Sequence, residues 1–303
     1  MHEKDITEKM LEDYADVFAD IVNGLLFKGK QVINPDDLIS TKARSQLKCD
    51  GEIHEQERDV TKFWEKGNTR IKIAFLGLEN QTLQDADMPL RIMGYDGAAY
   101  KEQALNRPNT EPYPIVTLVL YFGEEPWTKA RSLMERLDRN IPQELAPYVS
   151  DYKINVFEIA WLNETEVNYF KSDFRIVADF FRQKRLYRGK YTPPKDTIKY
   201  VDEVMKFLSA VLKDNQFEQA AKQLKEENRK GEGVTMCEIV QSIRNEGRAE
   251  GKAEGKAVGR AEVALMMVKD GLLSLAKASN ILGIPISEVT RLGREMYPDF
   301  PTS

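Results

Sequence analysis

The stretch ERDVTKFWEKGNTRIKIAFLGLENQT, residues 57–82, decides the fold. ERDVTKFW (57–64) and RIKIAFLGLENQ (70–81) read as strands, because β-branched and aromatic residues dominate both. EKGNT (65–69) lies between them and puts Gly67-Asn68 at a tight bend. The second strand is strongly apolar through Leu78, yet it finishes on a carboxylate and two amides. Period-2 alternation puts Glu79 and Gln81 on one face and Leu78 and Asn80 on the other. Asp59 belongs to the preceding strand of the same hairpin. Simple symmetric pairing about Gly67 sets Asp59 nearer Phe75 than Glu79. Uniting the two carboxylates therefore needs a bulge, a bent strand or a shifted register.

Upstream, residues 6–28 carry apolar side chains at the three- and four-residue spacings of an amphipathic helix. Within it, YADVFADIVN offers Asp16 or Asp20 as a third carboxylate. NPDD (34–37) reads as a loop or short turn. Downstream, Pro89 begins a helix through Leu90, Ile92, Met93, Tyr95 and Tyr100. YPIVTLVLYFG (113–123) is a buried strand without a charge. WTKARSLMERL (127–137) reads as a helix and INVFEIAWL (154–162) as another buried strand. A hairpin, two apolar strands and intervening helices predict an α/β core with a mixed sheet.

After about residue 165 no further strands are expected. DFRIVADFFRQKRLY and DTIKYVDEVMKFLSAVL read as helices separated by Pro193-Pro194. In NEGRAEGKAEGKAVGRAEVALMMVKDG, Gly247, Gly251, Gly255 and Gly259 recur every four residues, and Ala249, Ala253, Ala257 and Ala261 keep the same period. That segment is either a charged linker helix or a helix for self-association, which makes a homodimer through the C-terminal helices an expectation. LLSLAKASNILGIPISEVTRLGREM (272–296) has helix-turn-helix length, with Ser287 as the expected cap of its second helix. Thr290, Arg291 and Arg294 would then reach bases or phosphates, unless the hairpin is purely structural. The expected organisation is a core over 1–190, a helical extension over 191–240, the Gly/Ala-repeat helix over 241–269 and the helical hairpin over 270–303.

With 42% hydrophobic and 31% charged residues the chain reads as soluble and polar. No apolar run approaches the roughly 20 residues that cross a bilayer. The charged start MHEKDITEKMLEDY lacks a signal-peptide core. Cys49 and Cys237 form no CxxC pair, and two histidines make a zinc site improbable. A cytoplasmic protein without a membrane partner is the expectation. A net charge of −5 argues against a chain coated in nucleic acid. It allows a local basic groove, for which residues 182–199 supply Arg182, Lys184, Arg185, Arg188, Lys190, Lys195 and Lys199.

Paired carboxylates suit metal-assisted phosphodiester hydrolysis. They hold Mg²⁺ through hard oxygens while the ion keeps several waters and lowers the pKa of one of them. A neutral amide such as Gln81 can orient that water but cannot take its proton. The plain alternative is that Asp59, Glu79 and Gln81 are polar strand-end groups.

ERDVTKFW…IKIAFLGLENQT, then MPLRIMGYDGAAY, then YPIVTLVLYFGEEPW, resembles the recombination-promoting (Rpn-type) PD-(D/E)xK nucleases, a family of transposase-like proteins. The order of motifs, including the EGxxEG repeats and the short terminal hairpin, carries the resemblance from about residue 10 to 296. It implies a restriction-endonuclease-like mixed sheet flanked by helices, followed by a helical C-terminal region. It implies a Mg²⁺- or Mn²⁺-dependent DNA endonuclease with Asp59 and Glu79 as metal ligands. Gln81 takes the place of the motif's lysine, and Asp16 matches the N-terminal acid, with Asp20 fitting the spacing nearly as well. Arg91 and Tyr95 fall where the family keeps an arginine and an aromatic, and Arg91, Tyr95, Arg185 and Arg188 are the expected phosphate contacts. Read the other way, the chain is a catalytically degenerate member that binds DNA or self-associates.

Overall fold

The computed structural model describes residues 10–301 apart from 42–43, 50–51, 58–59, 77–82, 106–110, 138–140, 189–190 and 228–232. The side chains of 44–49, 52–57 and 76 are likewise not described. Two compact units are present, Met1–Val240 and Gln241–Ser303.

In the first unit a 3-10 turn at Leu11–Asp13 precedes α1 (Ala15–Phe27). The helix buries Val17, Phe18, Ile21 and Val22 and ends at Lys28 in the left-handed region. Pro35–Asp37 forms a second 3-10 turn capped by the Asn34 side chain, where the sequence predicts a short turn. Three strands follow that the sequence reading omitted: β1 (Leu38–Ser40) and the hairpin β2 (Arg44–Cys49) and β3 (Glu52–Glu57). RSQLKC and EIHEQE lack the apolar alternation that marks a half-buried strand, and among the described residues β2 pairs only with β3.

The central hairpin is β4 (Val60–Lys66) and β5 (Thr69–Leu76). Lys66 pairs with Thr69, leaving Gly67 and Asn68 as the turn. Gly67 sits at φ +59, where a glycine carries no Cβ penalty. α2 (Met88–Leu105) crosses to β6 (Ile115–Tyr121), which runs parallel to β5, and β7 (Asn155–Glu158) runs parallel to β6. The sheet order is β1-β4-β5-β6-β7, with β1, β4 and β5 antiparallel, so the mixed sheet is present.

Register sets the two faces. Val60, Lys62 and Trp64 lie opposite Phe75, Ile73 and Ile71 on one face, where Phe18 of α1 stacks on Phe75 at 4.3 Å between ring centroids. The other face carries Val119 and Tyr121 against Met88, Ile92 and Tyr95 of α2. There Asp96 of α2 accepts from Thr117 Oγ1 (2.7 Å) and Tyr152 OH (2.5 Å), tying the helix to β6 and to the approach to β7.

Three expected elements are shorter than predicted, and of DTIKYVDEVMKFLSAVL (196–212) only Val201–Leu212 is helical. INVFEIAWL is a strand only over Asn155–Glu158 and turns into a 3-10 helix at Ile159–Trp161. β6 pairs with it only as far as Tyr121, so beyond Glu158 the backbone has no ladder to join. WTKARSLMERL is helical only as α3 (Leu133–Leu137). Arg131 O accepts from Ile154 N and Leu133 N donates to Tyr152 O, committing that backbone to a neighbouring loop.

Helices complete this unit: α4 (Glu164–Val167), α5 (Phe174–Tyr187), α6 (Val201–Leu212) and α7 (Gln216–Glu227). Phe122, just past β6, meets Phe181 of α5 at 5.0 Å and Phe207 of α6 at 5.3 Å, while Phe180 meets Phe217 of α7 at 5.5 Å. α8 (Met236–Lys269) runs on into the second unit. There α9 (Leu275–Leu282) is capped by Ser274, and α10 (Ile286–Met296) follows a turn with Gly283 at φ +68. Leu265, Val268, Leu275, Ala278, Val289 and Phe300 form its core. The expected cap Ser287 is inside the helix instead. Pro285 is the N-cap, and its carbonyl accepts from Glu288 and Val289.

Candidate active site

The predicted residues Asp59, Glu79 and Gln81 lie outside the described residues. The frame beside them is described. β4 begins at Val60, β5 ends at Leu76, and Val60 lies opposite Phe75. The chain therefore enters β4 and leaves β5 at one and the same end of the hairpin. The pairing is centred between Gly67 and Asn68, one residue off simple symmetry about Gly67, so Val60 takes the place opposite Phe75.

Residues 83–87 are fastened to the loop that follows β6. Gln84 Oε1 accepts from Thr128 N (2.7 Å) and Thr128 Oγ1 (3.0 Å), and Gln84 Nε2 donates to Pro126 O (2.9 Å). Asp87 pairs with Arg136 at 2.7 Å. Glu158 at the end of β7 accepts from Trp127 N (2.7 Å) and pairs with Arg131. The downstream shoulder of segment 77–82 is thus tied across the ends of β5, β6 and β7.

Arg91 pairs with Asp85 at 2.8 Å and stands 3.5 Å from Tyr95 OH. Burial alone would lower its pKa, but the hydrogen bonds to Asp85 and Tyr95 raise it. Tyr95 is itself part of the buried α2–β6 cluster. The described contact of Arg91 is thus an ion pair within the molecule.

Asp16, in the first turn of α1, accepts from Lys199 Nζ (2.6 Å) and from Tyr200 OH (3.0 and 3.2 Å to its two oxygens). A metal role for Asp16 would require this clasp to open. Asp20 is buried, and its Oδ2 accepts from the backbone N–H groups of Lys171 and Ser172, both at 2.7 Å. It thereby anchors the entry to α5.

The basic stretch 182–199 is largely committed within the molecule. Arg182 lies 3.8 Å from Glu164 and from Asp179, and Lys184 pairs with Glu124. Arg185 Nε donates to Ala160 O (2.7 Å) while its guanidinium lies 4.1 Å from the Trp161 ring centroid. Arg188 caps α5 at φ 47 and is exposed. Thr290 Oγ1 donates to Ile286 O, and Arg291 pairs with both Glu288 and Glu295 at 2.6 Å.

The sequence reading passed over two lysines of the hairpin, Lys62 and Lys72, which are 2% and 6% exposed. Lys62 Nζ donates to Ser40 Oγ at 2.9 Å and lies 5.6 Å from the Phe18 ring. The available signal was a lysine at an alternating position between inward-facing apolar neighbours. Among the described residues no group of three or more His, Cys, Asp or Glu side chains could hold a metal ion, and no helix is long and apolar enough to cross a membrane.

Residues 56–218, more than half of the chain, match the family model described as "Putative transposase, YhgA-like". No curated protein and no solved structure matches. The matched span contains the central hairpin, α2, β6, β7 and the aromatic cluster of α5 and α6. The chain belongs to the YhgA-like family of transposase-type proteins, as the order of its motifs implied.

Proposed function

We propose that the protein is a metal-dependent DNA endonuclease of the transposase-like PD-(D/E)xK type. Family membership supports a transposase-like activity, and one feature of the fold carries the finer reading. The antiparallel partners Val60 and Phe75 set the entry to β4 and the exit from β5 side by side. Asp59 immediately precedes that entry, and Glu79 and Gln81 follow that exit within a few residues.

Asp59 and Glu79 supply hard oxygen donors, a set that suits Mg²⁺ or Mn²⁺. The ion, when bound, would acidify a water and offset charge building on the phosphate. Gln81 would orient that water through its amide. Proton removal falls to a second water, a phosphate oxygen or a carboxylate, because an amide is not a base. Arg188, exposed at the end of α5, would contact the DNA backbone, an interaction that weakens steeply with salt.

The test is plasmid cleavage by the purified full chain with Mg²⁺ or Mn²⁺, beside Asp59→Ala and Glu79→Ala. Wild type should nick or linearise the DNA and both variants should not, with thermal melts showing that they remain folded. Undiminished cleavage by the variants would overturn the site. A wild type that shifts DNA on a gel but fails to cut it whichever metal is supplied would instead be the degenerate binding protein.

A further inference from the structure

On the face of the hairpin that meets α1, β4 presents Val60, Lys62 and Trp64. Lys62 is 2% exposed, although an aliphatic side chain would bury the same stem without desolvating a charge. Its ammonium donates to Ser40 Oγ of β1, its partner in register, at 2.9 Å. It lies 5.6 Å from the centroid of the Phe18 ring, and that ring stacks at 4.3 Å on Phe75. Phe75 lies opposite Val60, beside the place where the chain enters β4 and leaves β5. The buried charge therefore sits next to the ring stack at that end of the hairpin. Lys72, the second buried lysine, is placed otherwise. It pairs with Phe63, one step nearer the Gly67 turn, and its ammonium lies 5.9 Å from the Phe63 ring on the opposite face.

The sequence brings negative charge to the end where Lys62 lies. Asp59 immediately precedes Val60, and Glu79 follows the exit from β5. Glu79 and Gln81 fall on the same alternation in sequence as Ile71, Ile73 and Phe75, which share the face of Lys62. Two carboxylates offset the charge of one divalent ion. The phosphodiester then brings a further negative charge, which builds as water attacks. Gln81 is neutral and offsets none of it, and Arg91 is committed to Asp85. A cation fixed where little water enters stabilises such charge far better than one in solvent.

We propose that Lys62 is a catalytic residue, its ammonium contacting a non-bridging oxygen of the scissile phosphate as water attacks. This rests on the nuclease reading of the site. The water oxygen bonds to phosphorus while one P–O ester bond breaks. The water's proton passes to solvent, and the departing oxygen takes a proton from solvent. Lys62 exchanges no proton and acts on charge that develops in the transition state. Ser40 is a positioning residue, because its hydroxyl fixes where the ammonium points.

The test uses the full chain and three readouts. They are single-turnover cleavage of a labelled duplex with saturating Mn²⁺, DNA affinity with Ca²⁺ in its place, and Mn²⁺ binding without DNA by electron paramagnetic resonance. Lys62→Met should cut about 100- to 1,000-fold more slowly. It should bind DNA within about threefold of wild type and melt no lower than wild type. Its Mn²⁺ affinity should equal or exceed that of wild type, since a cation near the carboxylates repels the metal. Lys62→Arg should recover most of the rate. Ser40→Ala, at an exposed position, should lose about tenfold in rate with DNA affinity unchanged. Lys72→Met should cut within about threefold of wild type. Undiminished cleavage by Lys62→Met, or an equal loss in Lys72→Met, would overturn the proposal and leave the roles of Asp59 and Glu79 standing. Should Lys62→Met not fold, an unchanged rate in Ser40→Ala overturns it. A wild type that neither binds Mn²⁺ nor cuts would overturn the nuclease reading, and this proposal with it.

Discussion

Asp16 Oδ2 lies 2.6 Å from Lys199 Nζ, an ion pair between residues 183 positions apart. Tyr200 OH donates to the same carboxylate, and the Tyr200 ring stacks on Tyr14 at 3.7 Å. Tyr14 OH in turn donates to Glu203 at 2.6 Å. These contacts fasten the start of α1 to the start of α6, so the helix stacked on the hairpin is held from a distant part of the chain. Burial alone would raise the Asp16 pKa, but the hydrogen bonds from Lys199 and Tyr200 bring it below its ordinary 3.8. The hydrogen bond to Asp16 raises Lys199 above its ordinary 10.5. The hydrogen bond to Glu203 pushes Tyr14 up to about 12.

These shifts predict how stability depends on pH. A carboxyl whose folded pKa is depressed contributes stability above 3.8 and loses it as pH falls through the folded value. Lys199, shifted upward, contributes below 10.5 and loses that contribution as pH rises through its folded value. Asp16→Asn should lower the melting temperature near neutral pH and shallow the acid limb of a plot of melting temperature against pH. Tyr14→Phe should remove the alkaline loss that begins above the ordinary tyrosine value of 10.0 and runs through about 12. An unchanged acid limb in Asp16→Asn would count against the clasp.

Phe18 and Phe75 are both fully buried and stacked. Phe18→Ala should cost about 3–5 kcal/mol in urea unfolding, from lost transfer energy and the cavity left behind. A double-mutant cycle with Phe75→Ala should return a coupling of about 0.5–1.5 kcal/mol.

Asn23, buried in α1, donates to Ile33 O at 2.8 Å and accepts from the N–H groups of Val32 (3.0 Å) and Ile33 (2.9 Å). Asn23→Ala strips partners from the backbone at buried Ile33 and should cost about 2–4 kcal/mol. Asn23→Asp keeps the acceptor but loses the donor and sets a buried carboxyl against the Ile33 carbonyl, so its cost should come from that side of the contact. Hydrogen exchange at Val32 and Ile33 would separate the two, with only Asn23→Ala exposing those amides.

Arg185 and Arg188 were paired by sequence as phosphate contacts, and their surroundings predict different outcomes. Arg185→Ala removes the hydrogen bond to Ala160 O and the packing on Trp161, and should lower stability by about 1–3 kcal/mol. Arg188→Ala should leave stability within about 0.5 kcal/mol. If Arg188 touches DNA, its loss should reduce the salt dependence of binding by about one phosphate contact. Thermal melts and a salt titration of DNA affinity read the two effects separately.

The legible parts were those whose pattern is local. Gly67-Asn68 announced the turn, Pro89 lies in the first turn of α2, and the charge-free run IVTLVLY announced β6. The four-residue period of 247–259 announced a helix. Less legible were features that depend on a distant partner. INVFEIAWL has strand composition throughout, yet the ladder stops where β6 stops. RSQLKC and EIHEQE have poor strand composition, yet their backbones pair with each other.

By itself the sequence determined the family, the hairpin with acids flanking its two outer ends, and the succession of α/β core and helical tail. Those depend on periodicity and on the order of motifs, which are properties of neighbouring residues. Only the tertiary structure decided that Asp16 is clasped by Lys199, that Arg91 is paired with Asp85, and that most of the basic stretch 182–199 is occupied within the molecule. An ion pair is chosen by which charges the fold brings within a few ångströms, and no local pattern of residues contains that choice.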